Sequence, residues 1–476
     1  MSSQGDDPAA RPGKHERTVY LDTLGCEKNT VDSEGALGML IERGFRVVDD
    51  AADASLIVLN TCAFLQSARQ ESLERLRELA DEKGDGRLVA MGCLVQGQTH
   101  DLLRDVPGLD AVIGVGQYDR LAALIDGGDG GPLGTPDEAP YAGYGTRALL
   151  GPTHVAHLKI AEGCNQKCTF CKIPALRGSQ RSRSIPELLA EAHALVAQGV
   201  RELILIAQNS SAWGIDLPGQ PRLGDLCRAL DSIPELKWIR VMYAYPPMFN
   251  RRLAEDVWSV DKVVSYLDIP VQHASARVLE RMERGYDPQK FLRQIAELRA
   301  MRPGIMLRST ALVGFPGETE DDVVLLLDFL DDVGFDHLGT FTYSHEEKTT
   351  AFAMEDDVDA SEKEDRRARV ESIQWDVGLA RKQEWLGREV ELVIDEVFED
   401  AEDALVHSVA IEAGSDLRES WSGPVAFGRS EGFCYEVDGG VFLPAAGLIE
   451  GQFLRAELVA CGPFDFLADP RKAEER

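Results

Sequence analysis

Short apolar runs alternate with amphipathic stretches along most of the chain, and the spacing of the two changes character twice. Between residues 18 and 126, "TVYLDTL", "SLIVLN", "RLVAM" and "AVIGV" are continuous apolar, partly β-branched runs and predict buried strands. "VDSEGALGMLIERG" and "SARQESLERLRELADEKG" carry apolar positions at helical spacing. The second adds Glu/Arg pairs three and four residues apart. Strands separated by helices predict a parallel, doubly wound α/β domain over 18–126. Residues 127–152 hold 8 Gly and 4 Pro and predict a linker.

From 153 to 385 the alternation returns on a larger scale. "HVAHLKI", "ELILIAQ", "WIRVMYAY", "VVSYLDIPV", "IMLRSTALVG" and "DHLGTFTY" predict six strands. Helical stretches such as "IPELLAEAHALVAQG" and "TEDDVVLLLDFLDDVG" intervene, and a long charged helix leads out. Six βα units predict a partial TIM-type barrel, although periodicity does not separate that from a flat sheet. Over 386–461 the runs shorten and glycines fall between them: "EVELVIDEV", "ALVHSVAIEAG", "GPVAFGRS" and "FLRAELVAC". That pattern predicts a small antiparallel, OB-like β-barrel. Residues 1–17 and 462–476 are expected to be tails, the first disordered.

Composition narrows the class without deciding it. With 44% hydrophobic and 28% charged residues, the chain reads as soluble and globular. There is no apolar run long enough to span a membrane and no secretory leader, so a cytoplasmic protein is expected; a monomer is expected as well. Nine cysteines in such a chain point to metal or redox chemistry rather than a disulfide framework. The formal charge of −31 disfavours a phosphate backbone as partner and favours a basic one, unless it serves solubility alone. The segment 386–461 carries four Arg, no Lys and 16 acidic residues, a net of −12.

The chemistry concentrates in "EGCNQKCTFCKIP". Cys164, Cys168 and Cys171 share one loop after the first barrel strand, at the face where such barrels keep their active sites. Three ligands on a four-iron cluster leave one iron open for a small molecule; the alternative is a zinc loop completed by a distant ligand. C-x3-C-x2-C in this position resembles the signature of the radical S-adenosylmethionine enzymes. The resemblance implies that the open iron takes the amino and carboxylate groups of S-adenosylmethionine, that one electron passes to the sulfonium, and that Phe170 contacts the adenine. It also places the region of Gln208, after the second strand, near the cofactor; Arg308, on the fifth strand, is read as a partner for the cofactor carboxylate, and Glu318, in "VGFPGETE", as shaping the cofactor edge. Each has a plainer reading: a turn, an ion pair inside the barrel, and a helix start respectively.

A second set of three is more widely spaced. Cys26, Cys62 and Cys93 each stand just past a predicted parallel strand of the first domain. In an open α/β sheet those strand ends share one edge, where ligands bind. One such cysteine reads as packing; three in the same placement read as a site. "TLGCEKNTVDSE", "NTCAF" and "MGCL" resemble the N-terminal domain of the methylthiotransferases, and the three-domain order resembles that family as well. Its terminal barrel is called TRAM. The resemblance implies a second 4Fe-4S cluster on these cysteines, whose open iron carries the sulfur to be inserted, with S-adenosylmethionine as both methyl donor and radical source.

"LGCEKNTVDSE" and "IPALRGSQRSR" resemble the branch that modifies an aspartate of small-subunit ribosomal protein twelve rather than the branch that modifies tRNA adenosine. The acidic barrel points the same way, toward a basic ribosomal protein, with an electron donor such as flavodoxin as second partner. One departure is Lys348 in "YSHEEKTTA", where the family has Gly. The basic run Arg177–Arg183 is read either as steering a carboxylate or as a solvated loop. His273 is not expected to be catalytic, Cys227 and Cys434 are expected to be packing residues, and Cys461 is unassigned.

Overall fold

In a computed structural model of the chain, residues 17–125, 134–138, 145–399, 424–445 and 447–470 are described. The chain divides into two compact units. The first comprises residues up to 150 with 162–164 and 172–179. The second comprises 151–161, 165–171 and 180 onward.

The first unit is built on a five-stranded parallel sheet in the order β2-β1-β3-β4-β5. Its strands are β1 (Thr18–Thr23), β2 (Arg46–Val47), β3 (Leu56–Thr61), β4 (Arg87–Gly92) and β5 (Ala111–Ile113). Alternate residues of each strand serve opposite faces. Leu56 and Val58 join Val19, Val89 and Ile113 beneath α1 (Glu27–Glu42) and α4 (Asp119–Ile125). Ile57 and Leu59 join Leu88 and Ala90 beneath α2 (Gln66–Glu82) and α3 (Cys93–Asp105). This is the expected doubly wound domain. The two-residue β2 and the helices α3 and α4 were not legible in the sequence.

In the second unit six parallel strands follow one another in chain order. β6 (Val155–Lys159), β9 (Glu202–Ile206) and β10 (Trp238–Val241) form one sheet, and β11 (Tyr266–Asp268), β12 (Met306–Val313) and β13 (His337–Thr342) another. A parallel bridge between Ile239 and Val263 joins them. Short strands β7 (Ala161–Glu162) and β8 (Arg181–Ser182) flank the cysteine loop, with α5 (Ile173–Arg177) between them. The crossovers carry α6 (Ile185–Ala197), α7 (Leu223–Asp231), α8 (Arg251–Trp258), α9 (Ala276–Arg281), α10 (Pro288–Met301) and α11 (Glu320–Val333). The expected partial (βα)6 barrel is therefore present. The long exit helix α12 (Ala360–Gln383) follows.

The small C-terminal barrel is closed in the order β14-β15-β16-β18-β17. Its strands are β14 (Glu389–Phe398), β15 (Val425–Ser430), β16 (Val441–Pro444), β17 (Phe453–Cys461) and β18 (Phe466–Asp469). Two expectations change here. The stretch expected as a tail from residue 462 contains β18, which pairs with both β16 and β17, so the barrel runs to Asp469. "ALVHSVAIEAG" lies outside the described residues.

The barrel caps the N-terminal ends of the six-strand array through buried charge. Glu202, the first residue of β9, accepts from Arg240 and Arg429, each at 2.8 Å. Arg429 also reaches Asp395 at 2.6 Å, and Asp395 faces His154 at 2.8 Å. Asp438 accepts from Tyr266 at 2.7 Å and from Arg308 at 3.1 Å. Two of the acidic residues behind the net of −12 thus point inward and are neutralised.

Candidate metal centres

The second unit brings half of the cysteine loop to the mouth of the barrel. Thr169 donates its backbone N–H to Met282 O at 3.1 Å and its hydroxyl to Arg281 O at 2.9 Å. Arg284 places Nη1 3.5 Å from Cys168 Sγ, and Cys171 N bonds Cys168 O at 3.1 Å. Phe170 is half-buried against an apolar cluster of Val278, Met282, Leu312, Phe315 and Tyr343. The first unit takes the rest of the loop. Cys164 N bonds Gly178 O at 3.0 Å. Gly163, at φ +78°, allows this approach, since a Cβ there would lie 2.2 Å from Ser179 O. All three loop cysteines are half-buried.

Strand ends around this mouth carry the remaining sequence-predicted residues, with one exception. Gln208 is half-buried just past β9. Next to it Asn209 and Ser210 are buried, and Asn209 Oδ1 and Ser210 Oγ meet no partner among the described residues. Glu318 is buried beyond β12, where it accepts from Gly314 N at 2.9 Å and Arg366 Nη1 at 2.9 Å and faces His273 Nε2 at 3.2 Å. Burial would raise its pKa, but His273, the Gly314 N–H and Arg366 outweigh that and hold it below the usual carboxylate range. Tyr243 and Gln272, also beyond strand ends, have left-handed backbone at φ +60° and +71°. Strain of this kind is held only where surrounding structure enforces it.

Arg308 is the exception. It lies toward the N-terminal end of β12, committed to Asp438 and, at 3.7 Å, to Asp268. The structure thus realises its plainer reading, the ion pair inside the barrel, at the end of the strands away from the cysteine loop.

In the first unit Cys26, Cys62 and Cys93 stand at the C-terminal ends of β1, β3 and β4, three adjacent strands. Cys26 is exposed and N-caps α1; Cys62 and Cys93 are buried. Gly25, at φ +101°, gives Cys62 its room, because a Cβ there would lie 3.0 Å from Cys62 Sγ. Asn29 ties the ends together, its Nδ2 donating to Leu24 O at 2.7 Å and Thr61 O at 3.2 Å. Burial pushes the Cys93 thiol up to about 12, opposed by the Arg177 guanidinium, with Cys26 and Cys62 adding to the rise. Cys62 is raised for the same leading reason. Cys26 also adds to the rise at Cys62, and metal binding is the ordinary way such thiols become thiolates. A clearance that one Cβ would fill, beside cysteines at the ends of three adjacent strands, fits a bound cluster. Among the described residues no three His, Cys, Asp or Glu side chains converge on a single metal ion. A four-iron cluster gives each of its cysteines a different iron.

Comparison with known proteins matches both domains to known families. The profile of the Uncharacterized protein family UPF0004 matches residues 18–114, and that of the Radical SAM superfamily matches residues 158–330. The Ribosomal protein uS12 methylthiotransferase RimO of Anaeromyxobacter sp. (strain K) is 40% identical over 96% of this chain and 94% of its own length. The chain belongs to the RimO family. The RimO of Geobacter sulfurreducens is 37% identical over 95% of this chain and 98% of its own length. In fold, the chain is similar to the radical S-adenosylmethionine methyltransferase TsrM of Kitasatospora setae, at a TM-score of 0.52 and 16% identity. That match covers 69% of this chain and 72% of TsrM.

The remaining cysteines, Cys227, Cys434 and Cys461, are buried, as packing residues would be. What the sequence reading left undecided is Arg177. It is 1% exposed and belongs to the first unit, not to a solvated loop. Its position between "KIP" and "GSQ" gave no sign of the carboxylates it meets.

Proposed function

We propose that this RimO-family chain is a radical S-adenosylmethionine methylthiotransferase that replaces a β-hydrogen of an aspartate in ribosomal protein uS12 with a methylthio group. The observation that carries the reading is the second cysteine set, at one edge of the N-terminal sheet. A radical loop alone serves many reactions, whereas a separate three-cysteine site provides a place for sulfur.

Cys164, Cys168 and Cys171 hold one 4Fe-4S cluster in this reading, and Cys26, Cys62 and Cys93 the other. When bound, these clusters supply an open iron each, one for reductive cleavage of S-adenosylmethionine and one for the inserted sulfur. The chain's own residues do the positioning. Phe170 and the Phe315 loop form an apolar wall beside the cysteine loop. Glu318, fixed by Gly314 and Arg366, sets the shape of the edge beyond β12, and Gln208 with Asn209 and Ser210 offers polar atoms at the neighbouring strand end. Residues 18–126 form the sulfur-carrying domain, 153–385 the radical barrel and 386–469 the TRAM barrel.

The acidic character of the chain supports a basic protein substrate and opposes a phosphate backbone. No helix among the described residues is long and apolar enough to cross a membrane. A ribosomal substrate and an electron donor such as flavodoxin place the reaction in the cytoplasm.

The test offers anaerobically reconstituted protein uS12 and tRNA in parallel, with S-adenosylmethionine and reductant. Mass spectrometry is expected to find one added S–CH2 unit on a uS12 aspartate and none on tRNA. Methylthio groups on tRNA alone would transfer the chain to the other branch, and a colourless zinc protein without turnover would end the radical reading.

A further inference from the structure

Arg177 is among the most deeply buried charges of the first unit, and the positioning role given to the cysteines does not use it. Its Nη1 lies 2.9 Å from Glu162 Oε2 and 3.4 Å from Asp32 Oδ2, and its Nη2 donates to Asn29 Oδ1 at 2.6 Å. All four residues are 1% exposed. Asn29 is also the strut between the first two cysteine-bearing strand ends, through Leu24 O and Thr61 O. On the other side Leu176, the residue before Arg177, belongs to the apolar cluster that contains Cys93 and Leu94. The guanidinium is thereby seated under the edge that carries Cys26, Cys62 and Cys93.

Glu162 and Asp32 hold the guanidinium from its Nη1 side. Burial acts to discharge Arg177, but Cys93, Glu162, Asp32 and Cys26 oppose it and keep the cation charged. A guanidinium does not give up its proton in proteins, so this is a fixed charge.

We propose that Arg177 is the electrostatic positioning residue of the sulfur-carrying site, a fixed buried cation that raises the reduction potential of a cluster held by Cys26, Cys62 and Cys93. The inference rests on the two-cluster reading above. A four-iron core on thiolates gains one negative charge on reduction, and a neighbouring cation in a low-dielectric interior favours that form. Glu162 and Asp32 act in the opposite sense while fixing the guanidinium in place.

The test isolates the site by replacing Cys164, Cys168 and Cys171 with Ala and following the remaining cluster by redox titration with electron paramagnetic resonance. Arg177→Gln is expected to make reduction at least tenfold less favourable, a fall of about 59 mV for one electron. Arg177→Lys keeps the charge and recovers most of the shift. Glu162→Gln moves the potential in the opposite direction, upward, which loss of local structure does not mimic. If Arg177→Gln fails to load iron, Glu162→Gln decides alone. An unchanged potential in an iron-loaded Arg177→Gln, or no rise in Glu162→Gln, would overturn the inference. A parent protein that holds no four-iron cluster would overturn the cluster reading itself, and the inference with it.

Discussion

Replacing Arg429 with Met tests whether the C-terminal barrel is fused to the six-strand array or merely attached to it. Arg429 is 1% exposed and joins two carboxylates, Glu202 at 2.8 Å and Asp395 at 2.6 Å. Methionine keeps much of the side-chain stem, so little packing is lost and the effect is mainly electrostatic. Glu202 retains Arg240 at 2.8 Å. Among the described residues Asp395 retains only His154, also at 2.8 Å. Removing one partner from a buried network costs about 3–5 kcal/mol, and the surviving partners put Arg429→Met near the lower end, about 3 kcal/mol. In the native protein burial raises the Asp395 pKa, and Arg429 and His154 outweigh it, so the group sits below its ordinary value. A depressed carboxylate contributes stability above its unfolded pKa and loses it on acidification. Without Arg429 burial prevails, so the deficit of the variant narrows as pH falls. Urea unfolding of the full chain, followed by circular dichroism at pH 7 and at mildly acidic pH, reads both effects. A loss under 1 kcal/mol, or a deficit independent of pH, would refute the reasoning.

Three further outcomes follow from single positions. Lys348 is exposed with φ +66°, and Lys348→Gly is expected to add about 1 kcal/mol of stability, read as a higher melting temperature. Burial, opposed by the Gly440 N–H and Lys382, pushes the Asp465 carboxyl up to about 6 from 3.8. Its contribution to stability is therefore full below 3.8 and lost as pH rises through 6. Asp465→Asn should match the parent near pH 4 and exceed it by about 3 kcal/mol at pH 8 in a thermal-melt series. Gly25→Ala puts a Cβ 2.9 Å from Cys62 Cβ at a left-handed position, and should lose about four irons per chain while the radical-loop cluster survives.

What the sequence disclosed was local. Strands such as "SLIVLN" and "ELILIAQ" announce themselves by continuous apolar runs, and all six strands of the central array fall where the pattern put them. Cysteines past strand ends were equally legible, because strand direction in a parallel sheet places them on one edge. Elements whose apolar content is too short to show periodicity were not: β2 has two residues and β18 four. Long-range charge pairs were also hidden. Arg308 meets Asp438 from 130 residues away, and Arg177 meets Asn29 from 148. Nothing in "IMLRSTALVG" distinguishes a cofactor-binding arginine from one held at the foot of a barrel, because the deciding carboxylate is supplied by another domain. The acidic count of the C-terminal barrel had the same limit, since composition does not say that Asp395 and Asp438 face inward.

The two-site account is tested most directly by replacing Cys26, Cys62 and Cys93 with Ala and measuring two products in one reaction. With uS12, S-adenosylmethionine and reductant, the parent is expected to yield both 5′-deoxyadenosine and methylthiolated uS12. The variant should keep the first and lose the second, because its radical loop is intact and its sulfur site is gone. Methylthiolated uS12 from the variant, or loss of 5′-deoxyadenosine from a variant that retains its radical-loop irons, would contradict the account.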